Sequence, residues 1–197
     1  MQYEELIKIE VPQDDSTSHE EKMILYNEIK RLKPQTVVEI GTHRGLTTLY
    51  MAHALWENGS GHLHTCDPNP EWCQTGNFRK FPELEKHITF YGIQGKNMDI
   101  QDIDFLFVDG FHEREYVLEE IDALFPKLSP NAVVYFHDTN GRNIYCDVPG
   151  AIEERGLQVE YIKTQNGLAK YIHNGGDTND TPKRAPKGVR KSKKTDV

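Results

Sequence analysis

The segment DFLFVDGFHEREY, residues 104–116, sets Asp109 at the end of an apolar run and His112 three residues beyond it. A second run, VVYF, ends in His137 and Asp138, with Asn140 two residues further on. Carboxylates and imidazoles at the ends of buried strands suit two tasks, holding a hard divalent cation and taking a proton near neutral pH. His112 is thus the candidate general base, and Asp109, Asp138 and Asn140 are candidate cation ligands; His137 reads as a histidine that orients Asp138. A third run, TVVEI, ends at Glu39 and Ile40 and breaks into a turn carrying Gly41 and Gly45. A dinucleotide fingerprint would need glycine at 41, 43 and 46, but His43 and Leu46 stand there. A phosphate loop would need a lysine followed by Ser or Thr after its second glycine, which is also missing. An acid two residues before the first glycine repels phosphate and suits a cation.

These segments need a scaffold that brings strand ends together. Ser18 and Glu21 form a capping-box pattern for a helix running to Lys33, and Pro34 stops it. Val37 to Ile40 reads as the first strand, and Leu46 to Glu57 as a helix closed by Asn58 and Gly59. His62 to Cys66 reads as the second strand, ending at Asp67; a short helix is expected over 78–85. Ile88 to Tyr91 and the nearly all-apolar Asp104 to Val108 follow as buried strands. A helix over 113–127 carries the stripe Val117, Leu118, Ile121, Leu124 and Phe125, and SPNA turns into a fifth strand, Val133 to Phe136. A short helix over 149–155 and the strands Val159 to Ile162 and Leu168 to Ile172, joined by TQNG, complete the pattern. The order predicts an α/β, Rossmann-like, doubly wound and mostly parallel seven-stranded sheet with a C-terminal antiparallel hairpin. Ligands of such sheets sit at the strand C-termini, where Glu39, Asp67, Asp109, His137 and Asp138 fall.

Composition narrows the class of protein. The 197 residues suit one domain over 1–174, with an N-terminal extension and helix over 1–33. Cys66, Cys73 and Cys146 are too few and too scattered for a disulfide framework or a zinc site. No apolar run reaches the length of a membrane span, and the acidic, polar start lacks a secretion signal, so a cytoplasmic location is expected. The tail over 175–197 carries seven basic and three acidic residues and reads as disordered, leaving −12 on the body. An acidic body argues against a broad nucleic-acid surface, and the basic tail is the one segment suited to such a contact. A homo-oligomer is compatible with this sequence.

The segments EIGTHRGLTT, QGKN, DGFH and HDTN, with Asp67 after the second strand, together resemble the class I S-adenosylmethionine-dependent methyltransferases over residues 21–173. The resemblance is strongest to small O-methyltransferases of the catechol and macrocin types. It implies that Glu39, Gly41, Thr42, His43, Gly45 and Thr47 line the methionine part of the cofactor. Asp67 would bind both ribose hydroxyls, Gly95 and Asn97 would lie on the adenine side, and Asp109 would also border the cofactor. In catechol-type enzymes a lysine base stands where this chain has His112; macrocin-type enzymes share the histidine–aspartate pair after the fifth strand. In the metal-dependent members an acid or asparagine directly follows the second aspartate, whereas Thr139 intervenes here before Asn140. The implied reaction is Mg²⁺-assisted methylation of a small-molecule hydroxyl on a sugar, catechol or secondary metabolite. The N-terminal segment and the loop over 68–81, with Trp72 and Phe78, are expected to shape the acceptor pocket. A cofactor-binding or nucleotide-binding protein without methyl transfer would share the crevice. A hydride-transferring dehydrogenase is disfavoured by the absent middle glycine.

Overall fold

The computed structural model describes residues 17–69 and 75–175. Trp72, Cys73 and nearly all of the basic tail lie outside the described residues. Helix α1 (His19–Leu32) starts on the expected capping box: the Ser18 hydroxyl accepts from the Glu21 backbone, and the Glu21 carboxylate accepts from the Ser18 backbone at 2.6 Å. The helix stops where Lys33 turns into the left-handed region ahead of Pro34. There follow β1 (Thr36–Ile40), α2 (Leu46–Asn58), β2 (His62–Cys66), α3 (Pro82–Glu85), β3 (Ile88–Tyr91) and β4 (Ile103–Val108). The chain continues through α4 (Arg114–Leu124), β5 (Leu128–Phe136), α5 (Val148–Glu154), β6 (Glu160–Ile162) and β7 (Leu168–Ile172).

The seven strands form one sheet in the order β3-β2-β1-β4-β5-β7-β6. Pairs from β3 through β5 are parallel, while β7 runs antiparallel to both β5 and β6. The order reverses beside β1, so the crevice opens between the C-termini of β1 and β4. Both faces of the sheet are covered. Val38, Ile40, Leu106, Val108, Val134 and Phe136 pack on the side of α4 and α5. Their alternates Val37, Phe105, Phe107, Val133 and Tyr135 pack on the side of α1 and α2.

Three elements differ from the sequence reading by more than one residue. The expected helix over 78–85 is a 3₁₀ segment (Thr75–Lys80) followed by α3, because Pro82 can begin a helix but cannot sit inside one. The helix over 113–127 ends at Leu124, and Phe125–Lys127 tightens to 3₁₀ geometry around Pro126. SPNA lies within β5, whose pairing with β4 shifts register between Ile103 and Phe105. The shift accommodates Pro130 and a left-handed Asn131 at the exposed start of the strand.

Gly41 seats β1 against β4. Its φ is +93°, and a Cβ there would lie 1.9 Å from the Asp109 carbonyl oxygen, so only glycine lets the two strand ends close on each other. Gly41→Ala should lower the unfolding free energy by at least about 2 kcal/mol, since it adds backbone strain to a steric overlap that must displace main chain. Urea unfolding monitored by circular dichroism measures this, and a change below about 0.5 kcal/mol would contradict the steric account.

Candidate active site

A cavity of about 470 Å³ opens at the strand ends. Its walls come from the β1–α2 turn, the end of β2, the loop 94–96 after β3, the β4–α4 turn, and the residues after β5. Gly41, Thr42, His43, Gly45, Thr47, Asp67, Gly95, Asp109, His112 and Asp138 all line it.

At one end stand Asp109, His112, His137 and Asp138, each offering one ligand atom within 4.8 Å of the others. His112 Nε2 is 3.0 Å from Asp138 Oδ2 and 3.5 Å from Asp109 Oδ1. His137 Nδ1 is 2.9 Å from Asp109 Oδ1 and 3.3 Å from Asp138 Oδ2. Neither nitrogen is aligned for a hydrogen bond at these distances. Asp138 holds a left-handed backbone, with φ +55°, which turns its carboxylate back toward His112.

Behind the cluster, His137 Nε2 faces Glu21 Oε2 at 3.3 Å, and both residues are buried. Glu21 also accepts from the Thr164 hydroxyl at 2.6 Å and from the Asn166 backbone at 3.0 Å. Its role thus exceeds the capping box read from sequence. Thr47 donates to Thr17, which donates to Asp109 Oδ2, each at 3.1 Å.

The charges are mutually compensating. Burial opposes the charged form of His137, but the carboxylates of Asp109, Asp138 and Glu21 overcome it and push the imidazole up to about 12. Burial likewise opposes the charge on His112, and Asp109 with Asp138 raises it to about 9. Asp109 and Asp138 fall below the ordinary carboxylate range, burial being outweighed by the two histidines. In this state His112 carries a proton at neutral pH rather than standing ready to take one. Two imidazolium ions balance Asp109 and Asp138, one divalent cation with neutral imidazoles would balance those two equally, and Glu21 adds one further negative charge behind His137. The two carboxylates fit Mg²⁺, while the imidazole nitrogens widen the fit to transition metals.

At the other end Asp67 Oδ2 accepts from the His43 backbone at 3.0 Å and Oδ1 from the Asn69 backbone at 2.9 Å. This fixes the carboxylate while leaving each oxygen a lone pair free to accept. The uncapped N-terminus of α2 and Arg44 border the same space.

Three expected site residues are placed elsewhere. Glu39 does not line the cavity. Strand alternation turns it to the α2 face with Val37, where it is wholly buried and accepts from the Thr48 and Thr65 hydroxyls at 2.6 Å each. Asn97 is exposed and off the cavity wall. Asn140 is exposed, and its amide donates to the carbonyls of Thr164 and Gln165, away from the Asp109–Asp138 cluster. Thr139 accounts for that displacement, since its backbone pairs with Gly167 and carries the chain out to the β6–β7 turn. Phe78, expected in the acceptor pocket, is buried against Gly45.

The sequence reading missed Thr17 and Glu120 as cavity residues. Glu120 left a signal: it is an acid inside the apolar stripe of α4, flanked by Val117, Ile121 and Leu124, where a solvated glutamate has no reason to sit.

Residues 38–139 match the family described as methyltransferase domain. The chain belongs to this methyltransferase family. Its fold is the class I fold of S-adenosylmethionine-dependent O-methyltransferases. The O-methyltransferase TomG of Streptomyces achromogenes, solved with S-adenosylmethionine, superposes with a TM-score of 0.69 at 17% identity, covering 84% of each chain. An O-methyltransferase of Bacillus cereus, solved with S-adenosylhomocysteine, gives 0.68 at 16% identity, over 86% of this chain and 89% of that one. The uncharacterized protein y4gI of Sinorhizobium fredii is 30% identical over 131 residues, 58% of this chain but 14% of that protein. Within this methyltransferase fold the described residues include no helix long and apolar enough to cross a membrane.

Glu39 generates a pH prediction. Burial is the main cause that pushes its carboxyl up to about 8, against the two threonine hydroxyls that favour the charge. An acid whose folded pKa exceeds its unfolded value of 4.5 costs stability as pH rises from 4.5 through about 8. Glu39→Gln should therefore gain stability relative to the native protein between pH 5 and pH 8, read from thermal midpoints in parallel buffers. A constant difference across that range would refute the assignment.

Proposed function

We propose that the chain transfers the methyl group of S-adenosylmethionine to a hydroxyl of a small molecule, assisted by a divalent cation. The observation that carries this reading is a single cavity with a backbone-fixed carboxylate, Asp67, at one end and the Asp109–His112–His137–Asp138 cluster at the other. Asp67 offers two oriented acceptors to a ribose diol. The α2 N-terminus and Arg44 suit the methionine carboxylate, with Thr47 beside them. Asp109 would turn its negative charge toward the sulfonium of the bound donor.

Asp109 and Asp138 would hold the cation, with His112 and His137 adjoining. When bound, the cation supplies positive charge that acidifies an acceptor hydroxyl. His112 reaches the cavity from the start of α4 and accepts the hydroxyl proton once its own proton has left. The oxygen attacks the methyl carbon in line, the sulfur–carbon bond breaks, and neutral thioether departs. His137, held by Glu21, fixes the carboxylates in place. Positioning supplies most of the rate gain, since the donor already carries the reactive methyl group. The acidic surroundings of the cavity disfavour a polyanionic acceptor.

Two outcomes test this reading. Asp67→Ala should weaken S-adenosylhomocysteine binding in calorimetry by about tenfold or more, the loss expected for two hydrogen bonds to a charged acceptor. Unchanged affinity would remove Asp67 from the cofactor site. Methyl transfer to a panel of catechols and sugars should fall in excess EDTA and return with added Mg²⁺ or Mn²⁺. His112→Gln should then reduce turnover by roughly 10²-fold or more while leaving cofactor affinity within about twofold. Full turnover in EDTA would exclude the cation.

A further inference from the structure

Glu120 is 7% exposed and lines the cavity, yet its Oε2 has no hydrogen-bond partner among the described residues. Its exposed neighbour Glu119 pairs instead with Lys96 at 2.7 Å. A buried polar atom left without a partner costs free energy that a ligand can recover. The carboxyl lies where two glycines meet. A Cβ built on Gly95 or on Gly110 would come within 3.0 Å and 3.1 Å of Glu120 Oε1 and within 2.6 Å and 2.9 Å of Ile40 Cγ2. The loop after β3, the β4–α4 turn, Ile40 and Glu120 thus surround one arm of the cavity.

The other arms are already assigned by charge: Asp67 to a diol, the α2 N-terminus to a carboxylate, and the Asp109 cluster to the sulfonium and acceptor. On that reading the space beside Glu120 is left for the base of the cofactor. We propose that Glu120 reads the exocyclic amino group of the adenine ring, its Oε1, the oxygen beside Gly95 and Gly110, accepting the N6 hydrogen bond, and so determines purine specificity. The inference rests on the cofactor reading above and deepens it. Burial pushes the Glu120 carboxyl up to about 8. The neutral acid retains a carbonyl acceptor for the amino group and adds an O–H for a ring nitrogen, so the contact survives in either protonation state.

The test compares binding of S-adenosylhomocysteine with its 6-deamino analogue, identical except for hydrogen in place of the amino group, by calorimetry on the full chain in EDTA. The native protein should prefer the adenine ligand by about tenfold, the loss expected for one buried hydrogen bond. Glu120→Gln should keep most of that preference, because its amide oxygen still accepts. Glu120→Leu and Glu120→Ala should bind the two ligands within about twofold of each other, since neither has an acceptor. Leucine replaces an unpartnered buried acid by an apolar group and should leave the fold intact, which circular dichroism checks. Equal binding of both ligands by the native protein, or an undiminished preference in either truncated variant, would overturn the proposal while leaving the cofactor reading standing. Failure of the native protein to bind S-adenosylhomocysteine at all would overturn both.

Discussion

The buried contact of His137 with three carboxylates is the interaction on which the site depends. One imidazole faces Asp109 and Asp138 through Nδ1 and Glu21 through Nε2. Those partners come from the end of β4, the end of β5 and the first turn of α1, and Glu21 continues to the β6–β7 turn through Thr164 and Asn166. Four separate parts of the chain are therefore tied to one ring. Taking such charges out of water is unfavourable for each alone, and mutual pairing offsets it; removing a single partner would leave an uncompensated charge inside the protein. The arrangement is a weak source of net stability and a strong constraint on where the strand ends lie.

That constraint gives the cavity two unlike ends. Asp67 is held by backbone amides from His43 and Asn69, and its remaining lone pairs can accept hydrogen bonds from a neutral diol. The Asp109 cluster instead contains as many imidazoles as carboxylates, and its charge can be balanced by protons or by a divalent cation. A cation entering the cluster competes with the proton on His112, which links metal occupancy to the protonation of the candidate base. Between the two ends, the closure of Gly41 on the Asp109 carbonyl sets their separation.

Much of the fold was legible because apolar period and glycine placement report on backbone conformation directly. The runs ending at Ile40, Cys66, Val108 and Phe136 became parallel strands, and those ending at Ile162 and Ile172 became the antiparallel hairpin at the sheet edge. Boundaries were less legible where proline has two meanings. Pro82 begins a helix, Pro126 narrows one, and Pro130 sits in the exposed start of a strand rather than in a turn. In the site, the residues immediately following a strand, Asp67 and Asp109, line the cavity. Glu39 was misplaced because it precedes the strand end by one residue, and a shift of one reverses the face.

What the sequence determined by itself was the set of strand ends and the residue types they carry, because alternation, chain breaks and turn chemistry are local properties. Only the tertiary structure decided which of those groups share a cavity and which lie beneath it. It joined Glu21 to His137 across 116 positions of chain, turned Asn140 toward the β6–β7 turn, and left Glu120 facing the cavity without a partner. Charge compensation and burial depend on distances between remote segments, and no local pattern encodes them.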